Sequence, residues 1–352
     1  MSDIDSRPAG IEPYLRGAAW HSGAGVTYPR ADPADVGRLH ADTWGTASLP
    51  VGVRLEIVGN ATHLDVQYHA ATDELGYRDV GAGTKFAVWR NGRCIDAQSA
   101  VVGRSDVRLV LRDERAIDNR AIDDHAVDQR AIDDRAIVYL PEGMKPSILS
   151  IAGIGGTIEP APRQPRWLAY GDSIVEGWIA SGPASAWPAI AGRTFGLDVF
   201  NLGYAGSARG EVVSAEHVGA LDADVISISH GTNCWTRIPH SVEQMLANTT
   251  AFLRIVRAGQ PGVPIVVASP VVRPDAEDTP NKLGATLADL RDAMERATQQ
   301  AIDSGDSLLT LVHGRRVLSA DLLADGVHPG DAGHALLAQV FGTAVAAALS
   351  QR

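Results

Sequence analysis

The sequence predicts two domains: a β-sandwich or jelly roll, followed by an α/β domain with a parallel sheet and helices on both faces. Short segments of alternating hydrophobicity, separated by turn residues, fill the first half, which is typical of an all-β domain. Apolar strands alternate with helical patterns in the second half, which is typical of a parallel sheet. A proline-rich stretch at 160–165 separates the two textures. We therefore predict a sandwich domain at 1–160, a linker at 161–166 and an α/β domain at 167–352.

Five alternating segments predict strands in the first domain. They are Val51–Val58, His63–His69, Phe86–Arg90, Val107–Leu111 and Ile137–Leu140. The third segment runs into Asn91-Gly92, a dipeptide typical of a tight hairpin turn. Residues 1–45 have little periodicity and are rich in Gly, Pro and Asp.

Residues 115–137 contain an internal repeat with a period of five residues, RAIDN-RAIDD-HAVDQ-RAIDD-RAI. This period matches neither the two-residue period of a strand nor the 3.6-residue period of a helix, so we expect no sustained amphipathic face. The flanking segments look like two strands that the repeat connects. We interpret the repeat as an expanded, charged and partly disordered surface loop, with an interaction arm or lid as the alternative.

Five apolar segments predict the strands of the second domain, and four helical patterns lie between or after them. The strands are Trp167–Tyr170, Leu197–Asn201, Val225–Ser229, Pro264–Ser269 and Leu308–Val312. The helices are Ala186–Thr194, Val242–Arg257, Leu283–Ser304 and Ala332–Ala348. Parallel sheets of this kind bind ligands beyond the carboxyl ends of their strands, so we expect functional residues directly after the strands.

The charge and the N-terminal sequence exclude several classes of partner. The formal net charge is −11, whereas a nucleic acid or an anionic membrane would need a basic face. The start, Met1-Ser-Asp-Ile-Asp5, is acidic and shows no signal peptide, and no apolar run reaches membrane-spanning length. We therefore expect a cytoplasmic protein with neither nucleic acid nor membrane as a partner.

The cysteines and histidines predict no bridge and no bound metal. Cys94 and Cys234 are the only cysteines, and their separation in a chain of this kind predicts free thiols. His63, His69 and His313 show no metal-ligand spacing. We predict no metal and no cofactor.

Four short motifs follow predicted strands of the second domain. They are Gly171-Asp172-Ser173, Asn201-Leu-Gly-Tyr-Ala-Gly206, Gly231-Thr232-Asn233 and Asp325-Gly-Val-His328. Each motif alone is also compatible with an ordinary turn or helix cap. Together they supply a serine at a helix start, where free N–H groups stabilise an oxyanion, and a histidine with a nearby carboxylate. A neutral imidazole held by a carboxylate activates a serine hydroxyl.

With these four motifs in this order, residues 165–350 resemble the SGNH (GDSL-type) serine esterases. The resemblance implies a flavodoxin-like three-layer domain that hydrolyses esters through an acyl-enzyme. It implies Ser173 as the nucleophile, His328 as the base and Asp325 as the residue that orients the base. It also implies an oxyanion hole made of the Ser173 and Gly206 backbone N–H groups and the Asn233 side chain.

Three further residues near these motifs have two interpretations each. Glu176, Trp178 and Trp235 are candidate substrate-binding residues, and each is also compatible with a role in packing. Family members often have an aspartate after the motif asparagine, where this chain has Cys234. We interpret Cys234 as a buried structural thiol rather than a rival nucleophile.

The order of the two predicted domains resembles that of the two-domain carbohydrate acetyl esterases, including acetyl-xylan esterases. This resemblance implies a short-chain, acetyl-type ester of a carbohydrate or glycoside-like alcohol as the small-molecule or oligosaccharide substrate. Two alternatives stay open: a lipase or lysophospholipase, and a non-catalytic carbohydrate-binding protein. Transfer of the acyl group to another alcohol is also compatible with these residues. The sequence does not predict an oligomeric state.

Overall fold

The residues that the structure describes form two antiparallel sheets and one parallel sheet, as the sequence predicts. The computed structural model describes residues 10–21, 28–73, 83–112 and 135–351. The antiparallel sheets precede the parallel sheet in sequence, with β-strands at Ile158–Pro160 and Arg166–Gly171 on either side of the change. Most of the five-residue repeat lies outside the described residues, and the next strand begins at Ala136.

The two antiparallel sheets pack face to face as a sandwich. Their strands are β1 (Leu15–Arg16), β2 (Arg54–Gly59), β3 (His63–Ala70), β4 (Lys85–Arg90), β5 (Arg93–Ser99), β6 (Gly103–Val110), β7 (Ala136–Tyr139), β8 (Pro146–Ile154) and β9 (Ile158–Pro160). The larger sheet has the order β1-β2-β7-β4-β5, and β9 pairs with the same edge of β2 as β1. The smaller sheet has the order β6-β3-β8. Buried side chains from both sheets, such as Leu55 and Leu64, form one core.

Two long strands of the sandwich were not among the predicted segments, and both lie at sheet edges. Strand β5 is mostly polar and exposed, so the alternation that marks a half-buried strand is absent. It is nevertheless the second arm of the hairpin that Asn91 and Gly92 predict, and both residues have the positive φ angles of such a turn, 51° and 74°. Strand β8 has exposed apolar residues at Leu149 and Ala152, so its buried and exposed residues do not alternate regularly.

The parallel sheet has the strand order expected of a flavodoxin-like domain. Its strands are β10 (Arg166–Gly171), β11 (Asp198–Gly203), β12 (Val225–Ser229), β13 (Ile265–Ala268) and β14 (Leu309–Val312). They are arranged β11-β10-β12-β13-β14 and all run parallel. All five predicted strands are present, each shifted by no more than a few residues.

Helices cover both faces of this sheet. The helices among the described residues are α1 (Ala41–Ala47), α2 (Ser173–Glu176), α3 (Trp187–Phe195), α4 (Val212–Ala220), α5 (Val242–Gly259), α6 (Leu287–Asp303) and α7 (Asp331–Leu349). Alternate residues of β10 point to opposite layers: Leu168 packs in the core that includes residues of α4, α5 and α6, whereas Trp167 packs in the core that includes residues of α3 and α7.

The predicted helices are present, but two others lacked a sequence signal. Helix α6 begins at Leu287 rather than at Leu283 because Thr286 caps it in a reciprocal capping box with Asp289. The sequence pattern predicts neither α1 nor α4. Helix α4 buries Ser214 and His217 beside its apolar residues, so its buried face has no clear hydrophobic period.

Among the described residues, α7 is the helix that is long and apolar enough to cross a membrane by length and composition. Leu337, Phe341 and Val345 of this helix are buried in the core of the α/β domain. This packing accounts for its apolar composition.

A segment between β1 and β2 packs on the α/β domain. Ala31 and Ala47 are fully buried in the same core as Leu168 and Tyr170 of β10. Residues 28–49, which include α1, therefore contribute side chains to the core beside the parallel sheet, although strands β2 to β9 lie between this segment and β10 in the sequence.

Candidate active site

A sharp turn after β10 brings Ser173 to the carboxyl end of the parallel sheet. Asp172 caps the short helix α2 by accepting a hydrogen bond from the Ile174 N–H at 3.0 Å, and Ser173 is the first helical residue. A Cβ atom on Gly171 would lie 2.2 Å from the Ser229 carbonyl oxygen and 2.3 Å from a methyl carbon of Val175. Only glycine fits such a close approach, so the first position of the Gly-Asp-Ser turn must be glycine.

Ser173, His328 and Asp325 form a continuous chain of hydrogen bonds. His328 Nε2 lies 2.9 Å from Ser173 Oγ, and His328 Nδ1 lies 2.7 Å from Asp325 Oδ2. The other carboxylate oxygen of Asp325 accepts the backbone N–H groups of Val327 and His328 at 2.9 and 2.7 Å. The carboxylate is thereby fixed by its own loop, and it selects the tautomer in which Nδ1 carries the proton and Nε2 faces the serine.

Burial keeps the imidazole of His328 in its neutral form. Burial lowers the pKa of His328 below its ordinary value, and the hydrogen bond to Asp325 and the negative charge of Asp325 offset this only in part. The indole of Trp178 stacks on the imidazole with ring centroids 5.4 Å apart and an interplanar angle of 27°. Burial alone would raise the pKa of Asp325, but its hydrogen bonds from His328 and Val327 outweigh this and lower the pKa.

Gly206 and Asn233 follow the two strands that flank β10. In the sheet, Gly171 is paired with both Gly203 and Ser229, so the three strand ends lie side by side. Gly206 follows Gly203 with a positive φ of 71° and has open space at its Cβ position. Asn233 lies on a short 3₁₀ turn after β12 and is buried, and its side-chain amide donates to the Ala208 carbonyl at 3.3 Å. Both residues are therefore at the same edge of the sheet as Ser173.

The three further candidates differ in their surroundings. Glu176 is fully buried, and its carboxylate accepts the Ala205 N–H at 2.8 Å and lies 3.4 Å from an Arg30 nitrogen. These contacts favour the structural interpretation of Glu176. Trp178 is half-buried against the His328 ring. Trp235 is half-buried, donates its indole N–H to the Thr279 carbonyl at 2.8 Å and lies beneath the Arg273 guanidinium.

Two buried acidic groups next to the site have raised pKa values. Cys234 is fully buried, and burial raises the pKa of its thiol well above the ordinary value, which disfavours the thiolate that a nucleophile needs. Burial also raises the pKa of Asp172 to about 6, although hydrogen bonds from the Ile174 N–H and the Thr232 hydroxyl oppose the shift.

A cavity in the described residues lies between the two domains rather than at the serine. Its volume is about 220 Å³, and its walls include Trp89 and Tyr139 from the sandwich and Arg193 and Glu176 from the α/β domain. Neither Ser173 nor His328 lines it. In the part of the chain that the structure describes, no group of three or more His, Cys, Asp or Glu side chains is arranged to hold a metal ion.

The sequence of this region matches a known family. Residues 169–336 match the model of the GDSL-like lipase/acylhydrolase family, and this stretch contains the turn at Ser173, the oxyanion candidates and the His328 loop. This match identifies a GDSL-like lipase/acylhydrolase domain in the C-terminal part of the chain. No curated protein sequence matches the chain significantly.

Several solved structures resemble the chain over most of its length, which includes both domains. A salicylyl-acyltransferase from a tetracycline biosynthetic pathway has a TM-score of 0.77 at 24% identity, covering 96% of this chain and 94% of its own. A GDSL-like lipase from Bacteroides ovatus has a TM-score of 0.73 at 21% identity, covering 96% and 95%. A family two carbohydrate esterase from Clostridium thermocellum has a TM-score of 0.59 at 15% identity, covering 85% and 93%.

These matches establish the fold and the general class of the chain. The β-sandwich followed by a flavodoxin-like domain is confirmed, and so is the resemblance to the SGNH esterases. The acylhydrolase domain makes the chain an enzyme of the serine esterase type, which removes the alternative of a non-catalytic binding protein.

Sequence reasoning missed the contribution of the N-terminal segment to the acylhydrolase domain. Arg30 forms a hydrogen bond with Gly203, the last residue of β11, and Asp42 forms hydrogen bonds with Arg209 beyond this strand. No local signal could have identified them, because their partners lie more than 160 positions later in the chain and neither residue belongs to a recognisable motif.

Proposed function

We propose that the enzyme hydrolyses short-chain acyl esters, with acetyl as the acyl group, of a carbohydrate or glycoside-like alcohol. We further propose that the reaction proceeds through an acyl-enzyme on Ser173. The observation that carries the mechanism is the unbroken hydrogen-bond chain from Ser173 Oγ through the His328 ring to Asp325. A serine hydroxyl on a neutral imidazole is the arrangement that acyl transfer through a covalent intermediate requires.

In the proposed mechanism, Ser173 Oγ attacks the ester carbonyl carbon while His328 Nε2 takes the hydroxyl proton. The carbonyl oxygen becomes an oxyanion, which accepts hydrogen bonds from the N–H groups of Ser173 and Gly206 and from the Asn233 amide. The oxyanion collapses, the bond to the alcohol oxygen breaks, and His328 returns the proton to that oxygen. Water then attacks the acyl-enzyme with His328 again as the base, and the acid leaves with Ser173 restored.

The substrate class is supported by the two-domain architecture and by the tryptophans at the site. The carbohydrate esterase structure that resembles this chain contains cellohexaose, and another neighbour is an acetyl xylan esterase with a TM-score of 0.55. Trp178 is half-buried directly beside His328. Partly exposed aromatic rings offer apolar faces to polar ligands.

Acyl-chain preference tests the substrate class. Rates with p-nitrophenyl acetate, butyrate and octanoate would be compared with acetate release from an acetylated xylo-oligosaccharide and fatty acid release from a lysophospholipid. We expect kcat/KM to fall as the chain lengthens and acetate to be released from the sugar. A preference for octanoate with turnover of the lysophospholipid would establish the lipase alternative instead.

Acyl transfer to an alcohol is a second candidate because of one specific comparison. The salicylyl-acyltransferase resembles this chain over 96% of its length with a higher TM-score than the carbohydrate esterases. The same acyl-enzyme reacts with an alcohol in place of water. Adding glycoside alcohols to the p-nitrophenyl acetate reaction measures the partition: acetylated glycoside as the main product would establish transfer, and acetate as the main product would establish hydrolysis.

A further inference from the structure

The stretch Gly203–Arg209, here called the oxyanion loop, carries the backbone N–H of Gly206. Two sets of hydrogen bonds hold the ends of this loop to residues 28–49, which lie between β1 and β2, and the Thr46 hydroxyl also donates to the Ala205 carbonyl at 3.4 Å. One set fixes the start of the loop through Arg30, and the other fixes its end through Asp42. The candidate oxyanion donor lies between the two anchors.

Arg30 anchors the start of the loop from a fully buried position. Its guanidinium donates to the Gly203 carbonyl and lies 3.4 Å from the Glu176 carboxylate. The same Glu176 oxygen accepts the Ala205 N–H at 2.8 Å, so the peptide next to Gly206 is held by a carboxylate that Arg30 neutralises. The Tyr204 hydroxyl completes this anchor by donating to the Arg30 carbonyl at 2.5 Å.

Asp42 anchors the end of the loop through Arg209. The Asp42 carboxylate accepts from two guanidinium nitrogens of Arg209 at 3.0 and 3.1 Å, and Arg209 also donates to the Gly206 carbonyl at 3.1 Å. Arg209 is 4% exposed whereas Asp42 is 39% exposed. Bidentate pairs of this kind fix orientation as well as distance, so Asp42 restrains the guanidinium that holds the Gly206 carbonyl.

We propose that Arg30, Asp42 and Glu176 are positioning residues of the oxyanion hole, so that the segment between β1 and β2 contributes two residues, Arg30 and Asp42, to the support of the site. The proposal rests on the proposed function, in which the Gly206 N–H is an oxyanion donor. It assigns Glu176 to the support of the loop rather than to contact with substrate.

A positioning role predicts an effect on turnover and little effect on substrate binding. The oxyanion forms only in the transition state, so a displaced donor reduces kcat while KM stays nearly constant. Complete loss of one donor costs about 100- to 1000-fold in turnover. Removal of one anchor leaves the other contacts of the loop in place and displaces the donor only in part, so we expect a loss of about tenfold.

The test compares Asp42→Ala with the matched control Asp35→Ala. Asp35 lies in the same segment and forms a hydrogen bond with His217 of the α/β domain at 2.9 Å and one with the neighbouring Arg38 at 3.1 Å. Neither hydrogen bond involves the oxyanion loop. We expect kcat of Asp42→Ala to fall about tenfold with KM within about twofold. Affinity for a boronic acid that mimics the tetrahedral intermediate should fall by a similar factor, whereas Asp35→Ala should match wild type in both measurements.

Further readouts separate positioning from general destabilisation. The pH midpoint of kcat/KM should stay unchanged in Asp42→Ala, because the hydrogen bonds of His328 and Asp325 are not touched. Melting temperatures of both variants monitor the fold. Equal losses of kcat in Asp42→Ala and Asp35→Ala, or wild-type kcat in Asp42→Ala, would overturn the proposal.

Glu176→Gln supplies a second, independent test. Its amide oxygen still accepts the Ala205 N–H, but the negative charge opposite Arg30 is lost, so we expect a lower kcat with KM unchanged. A raised KM with wild-type kcat would show instead that Glu176 contacts substrate. Ser173→Ala, measured alongside, separates the two levels of inference: full activity of that variant refutes the proposed function, whereas its inactivity together with wild-type kcat of Asp42→Ala refutes only the positioning role.

Discussion

Replacing Asp325 with asparagine tests how the carboxylate controls the His328 tautomer. One carboxylate oxygen accepts two backbone N–H groups at 2.9 and 2.7 Å, and the other accepts His328 Nδ1 at 2.7 Å. The Asn oxygen would keep the two backbone hydrogen bonds, which places its NH₂ group against Nδ1. The imidazole proton would then move to Nε2, where it faces Ser173 and prevents the ring from accepting the serine proton.

The exposure of Asp325 sets the expected magnitude. In a serine protease triad with a buried aspartate, the equivalent change lowers kcat by about 10⁴-fold. Here the Asp325 side chain is 41% exposed, so water stabilises part of the imidazolium charge after the substitution. We therefore expect a loss of about 100- to 1000-fold, which corresponds to about 3 to 4 kcal/mol of transition-state stabilisation.

The assay is kcat/KM for p-nitrophenyl acetate at pH 8, where wild-type His328 is neutral. Asp331→Asn serves as the matched control, because this nearby carboxylate accepts the Ser181 N–H at 2.9 Å and has no hydrogen bond with His328. The control should retain activity within about twofold. A loss of less than about fivefold in Asp325→Asn would refute the orienting role of Asp325.

Three further predictions address the base, the oxyanion hole and the serine turn. His328 must be neutral to act as the base, and burial lowers its pKa, so kcat/KM should rise with pH through a midpoint below the ordinary histidine value of about 6.5. Trp178→Ala should raise that midpoint, because it exposes the His328 ring to water. A lower midpoint in this variant would contradict the effect of the stacked indole. Asn233→Ala should lower kcat about 100- to 1000-fold, and a loss under about fivefold in steady-state assays would remove Asn233 from the oxyanion hole. Burial raises the pKa of Asp172 to about 6, so ionisation of this carboxyl group lowers the free energy of unfolding as pH rises from about 4 to 6. Asp172→Asn cannot ionise, and we expect it to be more stable than wild type by up to about 3 kcal/mol at pH 8 but not at pH 4. Denaturant unfolding at the two pH values measures this difference, and lower stability of the variant at pH 8 would refute it.

The α/β domain was predictable because its strands and motifs are local features. Each strand is a short apolar run, and the turn after β10 requires glycine at position 171 for steric reasons. Ser173, His328 and Asp325 lie in motifs whose order along the chain is informative, and the structure brings the three side chains together. Their catalytic roles stay predictions until they are tested.

The contribution of the N-terminal segment was not predictable because it depends on long-range pairing. Arg30 and Asp42 look like ordinary charged residues in a segment without periodicity, and only the folded chain places them against Gly203 and Arg209. Edge strand β5 was missed for a related reason: its residues are mostly exposed, so pairing with β4 rather than hydrophobicity defines it. The sequence did not distinguish a substrate-binding role from a packing role for Glu176, and only its burial and its hydrogen-bond partners favour the packing role.

The most direct measurement is hydrolysis of p-nitrophenyl acetate by wild type and by Ser173→Ala, together with mass spectrometry of the wild-type enzyme quenched during turnover. We expect acetate release by wild type, none above background by the variant, and one acetyl group on the peptide that contains Ser173. Activity that survives the substitution, or an acetyl group on another residue, would contradict Ser173 as the nucleophile.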